Sequence, residues 1–306
     1  MTEAGLWVEG LSNRHSGKRR REQQQSIQSE LPAGRLTSVF STKGGLGVTT
    51  IATNLAVCLA TGGAGSALLV DLDSRQSDVA TFLNLRPTYS VLDAFENVGR
   101  MDESFLRGLL IRHASGLWVL PGPTRIERIQ LGAEPVRVTI EMMRTNFDHV
   151  VLDLRHDLDP GTITALEASD TILFLAGLDV AAVRSGVAGL AAFRQLGISL
   201  QKVRVVVMRE DTGDEVTVKH VREALGLPIV WKIPSDYPTV VSSINSGQPL
   251  VTAAPRSKIT RALRQLAEAI GKAPRGVAPG GAVKAEARLP FSFKRLAWTP
   301  KGSPGV

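Results

Sequence analysis

Seven short apolar runs, rich in Val, Ile and Leu, recur along the chain at Leu36–Phe40, Ala67–Val70, Leu117–Leu120, Val150–Leu154, Thr171–Leu175, Val203–Val207 and Ile229–Trp231. None of them alternates polar with apolar, which is the pattern of strands buried on both faces of a parallel sheet. Between them lie helix-length amphipathic segments at 49–60, 135–144, 181–196 and 215–225, and one more follows the last run at 258–270. Strand followed by crossover helix, repeated, predicts an α/β fold: a doubly wound, mostly parallel sheet of about seven strands in a single domain over 35–270. No internal repeat is visible.

The charge distribution sharpens what lies outside that domain. The chain of 306 residues carries 36 Lys and Arg against 29 Asp and Glu. The excess of +7 resides in the ends, with +1 on residues 1–34 and +6 on residues 271–306, so the body is electrically balanced. A neutral body argues against a domain that coats nucleic acid, which requires clustered Lys and Arg on phosphates, and makes DNA the less expected partner. Residues 1–34, with Lys18-Arg19-Arg20-Arg21 and a Gln run, read as a disordered segment without the apolar core of a signal peptide. Residues 271–306 read as a flexible basic tail that begins in Gly, Pro and Ala and reaches Pro290-Phe-Ser-Phe-Lys-Arg-Leu-Ala-Trp298. Aromatics beside Lys294 and Arg295 suit shallow contact with a membrane surface or a partner's groove. The single cysteine, Cys58, excludes an intrachain disulfide framework and a Cys-cluster zinc site. The expected location is cytoplasmic, peripheral at the inner face of the membrane if the tail engages it.

Directly after the first run comes Ser41-Thr-Lys-Gly-Gly-Leu-Gly-Val-Thr-Thr50, and a helical pattern follows it. Gly44, Gly45 and Gly47 let the backbone wrap closely, so that successive N–H groups converge at a helix N-terminus, where the dipole also favours an anion. Strand, glycine loop and helix in that order predict a phosphate cradle, with Thr49 and Thr50 at its mouth and Thr49 placed to offer its hydroxyl to Mg2+.

This loop resembles that of the ParA/MinD family of P-loop ATPases, Lys-Gly-Gly-x-Gly-Lys-Thr-Thr. The early lysine, which in the family reaches the phosphates across a nucleotide-sandwich dimer, matches Lys43. The second lysine, which pairs the β and γ phosphates within one subunit, falls at Val48. The resemblance extends to Leu68-Leu-Val-Asp-Leu-Asp73, implying that Asp73 positions the attacking water and that Asp71 lies near Mg2+. It extends also to Val150-Val-Leu-Asp153, implying that Asp153 holds the metal through water. The family usually follows that aspartate with prolines or glycines, whereas Arg155-His156-Asp157 stands here. Where the family places an adenine-reading asparagine, this chain has Met208. A thioether can pack on a base but cannot pair with its edge.

Within the family the likeness is closest to the CpaE/TadZ branch of pilus-assembly and polar-localisation proteins. The segments that carry it are Ala67–Ala80, His113–Pro121, Ile233–Tyr237 and Ile244–Leu250. The resemblance implies a homodimer that binds ATP and Mg2+ weakly, hydrolyses slowly or not at all, and works with pilus or secretion machinery as a localisation or assembly factor. Two other readings stay open: an active ATPase for chromosome or plasmid partition or septum positioning, and a scaffold that binds no nucleotide.

Overall fold

A computed structural model describes residues 34–73, 77–123, 132–210 and 215–272. An eight-stranded sheet runs β3-β4-β2-β5-β1-β6-β7-β8. Its strands are β1 (Arg35–Phe40), β2 (Ala67–Asp71), β3 (Ile111–Arg112), β4 (Trp118–Leu120), β5 (His149–Asp153), β6 (Thr171–Ala176), β7 (Val203–Glu210) and β8 (Ile229–Pro234). All seven expected runs are strands. The eighth, β3, has two residues and pairs antiparallel with β4 at one edge, and every other pairing is parallel. A two-residue strand leaves no run to detect, which accounts for the difference between seven and eight.

The helices are α1 (Val48–Thr61), α2 (Val79–Phe82), α3 (Val91–Glu96), α4 (Glu103–Leu109), α5 (Ala133–Asn146), α6 (Pro160–Ala168), α7 (Val180–Gln195), α8 (Val218–Leu225), α9 (Tyr237–Ser246), α10 (Leu250–Ala253) and α11 (Lys258–Lys272). They cover both faces of the sheet, and the strand sequences record it residue by residue. In β1, Leu36 and Phe40 belong to one core while Val39 belongs to the other, and in β6 Ile172 and Phe174 face opposite to Leu173 and Leu175. The first face packs under α3 to α8, with Phe40, Phe174 and Phe193 in mutual ring contact at 5.5 to 6.1 Å. The second packs under α1 and α11, joined by Val79 and Leu250. Burial on both faces leaves the C-terminal ends of the central strands as the place where polar groups gather, the usual ligand edge of a doubly wound sheet. Residues 1–33 of the N-terminal segment and 273–306 of the basic tail, with the proposed membrane contact at 290–298, lie outside the described residues, and the first two tail residues, 271 and 272, complete α11.

Candidate functional site

The loop after β1 is shaped by two glycines in the left-handed region, Gly45 at φ 78° and Gly47 at φ 88°, which a residue with a Cβ adopts only at a cost. Gly47 is the N-cap of α1 and offers no side chain to its first turn, which contains no acidic residue. The leading N–H groups of a 14-residue helix are therefore presented to whatever lies in the loop. Val48 is the first residue of that helix, half-buried against the α1 core, so no cation enters the loop from this position. Gly44 is exposed on the loop, while Thr50 turns its carbonyl to the Asn54 side-chain amide at 2.9 Å.

Four acidic groups stand at or near the strand ends. Asp71 and Asp153 are register partners on β2 and β5, both fully buried. Asp71 accepts from the Ser77 hydroxyl at 2.7 Å and from the backbone N–H groups of Asp73 at 3.0 Å and Val79 at 3.4 Å. Burial outweighs those hydrogen bonds, and its carboxyl is pushed from 3.8 up to about 7. Burial, with Asp71 alongside, likewise holds Asp153 well above the usual carboxylate range, although the Thr49 side chain hydrogen-bonds it. Asp78, the fourth, is raised by burial and by the charge of Asp73. Two neighbouring carboxylates that resist ionisation, with a threonine hydroxyl beside one of them, form a donor set that a divalent cation would relieve. Among the described residues no three His, Cys, Asp or Glu side chains converge as a cage.

Three cations reach this region by routes the sequence did not disclose. Lys43 Nζ pairs with Asp179 Oδ1 at 2.9 Å, both groups substantially exposed. Asp179 is also the N-cap of α7, accepting from the Ala182 N–H at 2.8 Å. Its partial burial raises its carboxyl, but the Lys43 and backbone hydrogen bonds outweigh that and hold it below the ordinary value. The helix can come this close because position 189 is glycine: a Cβ there would meet Thr42 Cγ2 at 2.2 Å. Arg209, with φ at 56° in the left-handed region, sits at a register irregularity near the end of β7 and donates from Nη2 to the Gly45 carbonyl at 2.7 Å. Arg155 is buried just beyond β5, its Nε 3.6 Å from Asp73 Oδ1 and its Nη2 hydrogen-bonded to Asp157. Met208 is buried beside the loop, its Cε 3.6 Å from where a Cβ on Gly47 would stand. Thus Lys43, Gly45, Gly47, Val48, Thr49, Asp71, Asp73, Asp153 and Met208 do gather at one end of the sheet, joined by Ser77, Asp179, Arg155 and Arg209.

The AAA domain family model, AAA_31, matches residues 34–201, which span the loop, both aspartate strands and α7. The chain belongs to the ParA/MinD family of P-loop ATPases. The septum site-determining protein MinD of Synechocystis is 25% identical over 221 residues, covering 71% of this chain and 82% of the relative. Among solved structures, the ParA family ATPase of Chlorobium tepidum superposes with a TM-score of 0.73 at 24% identity, over 77% of this chain and 99% of that one. MinD of Pyrococcus horikoshii, solved as a complex with Mg-ADP, superposes with a TM-score of 0.67 at 20% identity, over 78% and 96%. Both likenesses are of fold, and the family match covers the loop that opens the candidate site.

Proposed function

We propose that this family member binds ATP with Mg2+ weakly, dimerises through Lys43, hydrolyses slowly or not at all, and serves as a localisation or assembly factor for a pilus or secretion apparatus. The observation that carries the reading is a complete glycine cradle on the N-terminus of α1 with a valine as the first helical residue. Backbone N–H groups supply directional but uncharged donors. The missing ammonium removes a charge-assisted contact of about 1.5–3 kcal/mol, or roughly ten- to a hundredfold in affinity. The donor set fits the cation: the Thr49 hydroxyl stands beside Asp153, and Asp71 and Asp153 are mutually repelling. When bound, Mg2+ supplies positive charge to the phosphate oxygens. The exposed Lys43–Asp179 ion pair supports this role, since Lys43 could exchange that carboxylate for phosphates of a second copy at little cost. The buried Met208 thioether favours packing against a base over reading its edge.

The CpaE/TadZ-like segments support the assembly role, and membrane contact through 290–298 would put the protein at the inner face of a membrane. Calorimetry with ATP and Mg2+ tests the reading directly. Weak heat from the native chain, tightened about tenfold or more by Val48→Lys, is expected. Tight binding with brisk turnover that survives Lys43→Ala would overturn it. The MinD relative favours a second reading, an active septum-positioning ATPase, and rapid steady-state hydrolysis by the native chain would select that one. The nucleotide-free scaffold would be selected by failure of Val48→Lys to bind ATP.

A further inference from the structure

A nucleotide cradle accounts for the loop and for the buried aspartate pair, but not for Arg155. Its side chain is 2% exposed, and a guanidinium so far from water has to be matched by carboxylates. Here it pairs with Asp73 and Asp157, whose side chains are 29% and 33% exposed. Both lie just past the ends of neighbouring strands, Asp73 two residues beyond β2 and Asp157 four beyond β5. Arginine is a poor leaving partner, because it stays charged at every accessible pH and its planar fork is held from two sides. Asp73 is also the carboxylate to which the family resemblance gives the orientation of the attacking water. A carboxylate paired with a buried guanidinium is tied to that side of the site, and moving it onto such a water would take a partner from a charge that solvent does not reach.

We propose that Arg155 is a latch that holds Asp73 away from its water-orienting position, restraining hydrolysis independently of how tightly nucleotide is held. The latch rests on the nucleotide-binding reading above, yet it acts on a different step. Val48 limits binding and charge at the phosphates, whereas Arg155 limits the chemistry of whatever nucleotide is bound. Arg155 is in this sense a positioning residue, acting through Asp73.

The test uses the full chain carrying Val48→Lys, so that nucleotide occupancy is secured, with calorimetry for ATP binding and single-turnover hydrolysis at saturating ATP and Mg2+. Arg155→Gln should raise the single-turnover rate at least about tenfold, a small part of the ~10²–10⁴ that a positioned base contributes. The dissociation constant for ATP should stay within about threefold, a difference under ~1 kcal/mol. Arg155→Lys, which keeps a charge at the position, should retain the slow rate, and adding Asp73→Ala to Arg155→Gln should abolish the gain. A folded Arg155→Gln chain that binds ATP like its parent but hydrolyses no faster overturns the latch while leaving the binding reading intact. Absence of ATP binding in the Val48→Lys parent overturns both. If Arg155→Gln does not fold, Asp157→Asn serves instead: it shifts the guanidinium's pairing toward Asp73 and should slow hydrolysis further, so a faster rate overturns the proposal.

Discussion

Asp71→Asn isolates the cost of burying an acid beside another acid. The carboxyl of Asp71 ionises at about 7 in the folded protein against 3.8 unfolded, principally because burial removes it from water. A carboxyl whose folded value is raised binds its proton more tightly when folded. Its contribution is therefore most favourable below pH 3.8, and stability is lost progressively as pH rises to 7. At ~1.36 kcal/mol per pKa unit the full loss is about 4 kcal/mol, of which about 2–3 kcal/mol falls between pH 5 and pH 8. The neighbouring Asp153 shifts in the same direction, so the two titrate as a pair. An asparagine at 71 cannot ionise, but its amide would face one of the donors Asp71 now accepts from, at a cost of about 1–2 kcal/mol. The variant should match the native chain near pH 5 and exceed it by about 2–3 kcal/mol at pH 8. Guanidinium unfolding in EDTA without nucleotide, at both pH values, measures this. Parallel pH slopes for the two proteins would refute the reasoning.

Gly47→Ala should destabilise the fold by about 1–2 kcal/mol, because its φ of 88° is left-handed, while the new Cβ would only touch Met208 at 3.6 Å; an unchanged unfolding midpoint would contradict this. Lys43→Ala should alter stability by less than ~1 kcal/mol, since its ion pair is 38% and 52% exposed, yet should abolish nucleotide-dependent dimerisation in light scattering. Burial pushes the Cys58 thiol up to about 11, with Arg264 only partly opposing it, so iodoacetamide at pH 8 should leave the folded protein unmodified and label it on unfolding; rapid labelling of the native state would count against it.

The central strands were legible because they are buried on both sides, so that Leu36 and Val39 are apolar for different cores and the run shows no gap. The helices that escaped detection are short or carry weak periodicity. Helix α6 announces itself only by its start, where Asp159 caps the Thr162 N–H at 2.8 Å and Pro160 is the first helical residue. In the site, the loop was legible because its glycines are contiguous with the strand and helix they join. The partners of its charged groups were not. Asp179 follows Lys43 by 136 residues, and nothing local distinguishes it from any other helix-capping aspartate. Arg155 stood out in the sequence only as a departure from proline or glycine, and its engagement with Asp73 depends on β2 and β5 being neighbours in the sheet.

Two of the three cations at this edge of the sheet, Lys43 and Arg155, differ in how freely they can change partners. Lys43 and Asp179 meet in solvent, so parting them is inexpensive, and the carboxylate left behind still rests on the N-terminus of α7, where the helix dipole welcomes it. Arg155 has no such retreat, because its charge lies out of reach of water and each partner it loses must be replaced. Under the proposed dimerisation and latch, an encounter between two copies would recruit Lys43 on the time scale of a side-chain swing, whereas freeing Asp73 would wait on a rearrangement of the chain after β5. On the proposed reading, assembly and chemistry would be set to different clocks, and a complex would form, act on its surroundings and come apart long before its nucleotide is spent.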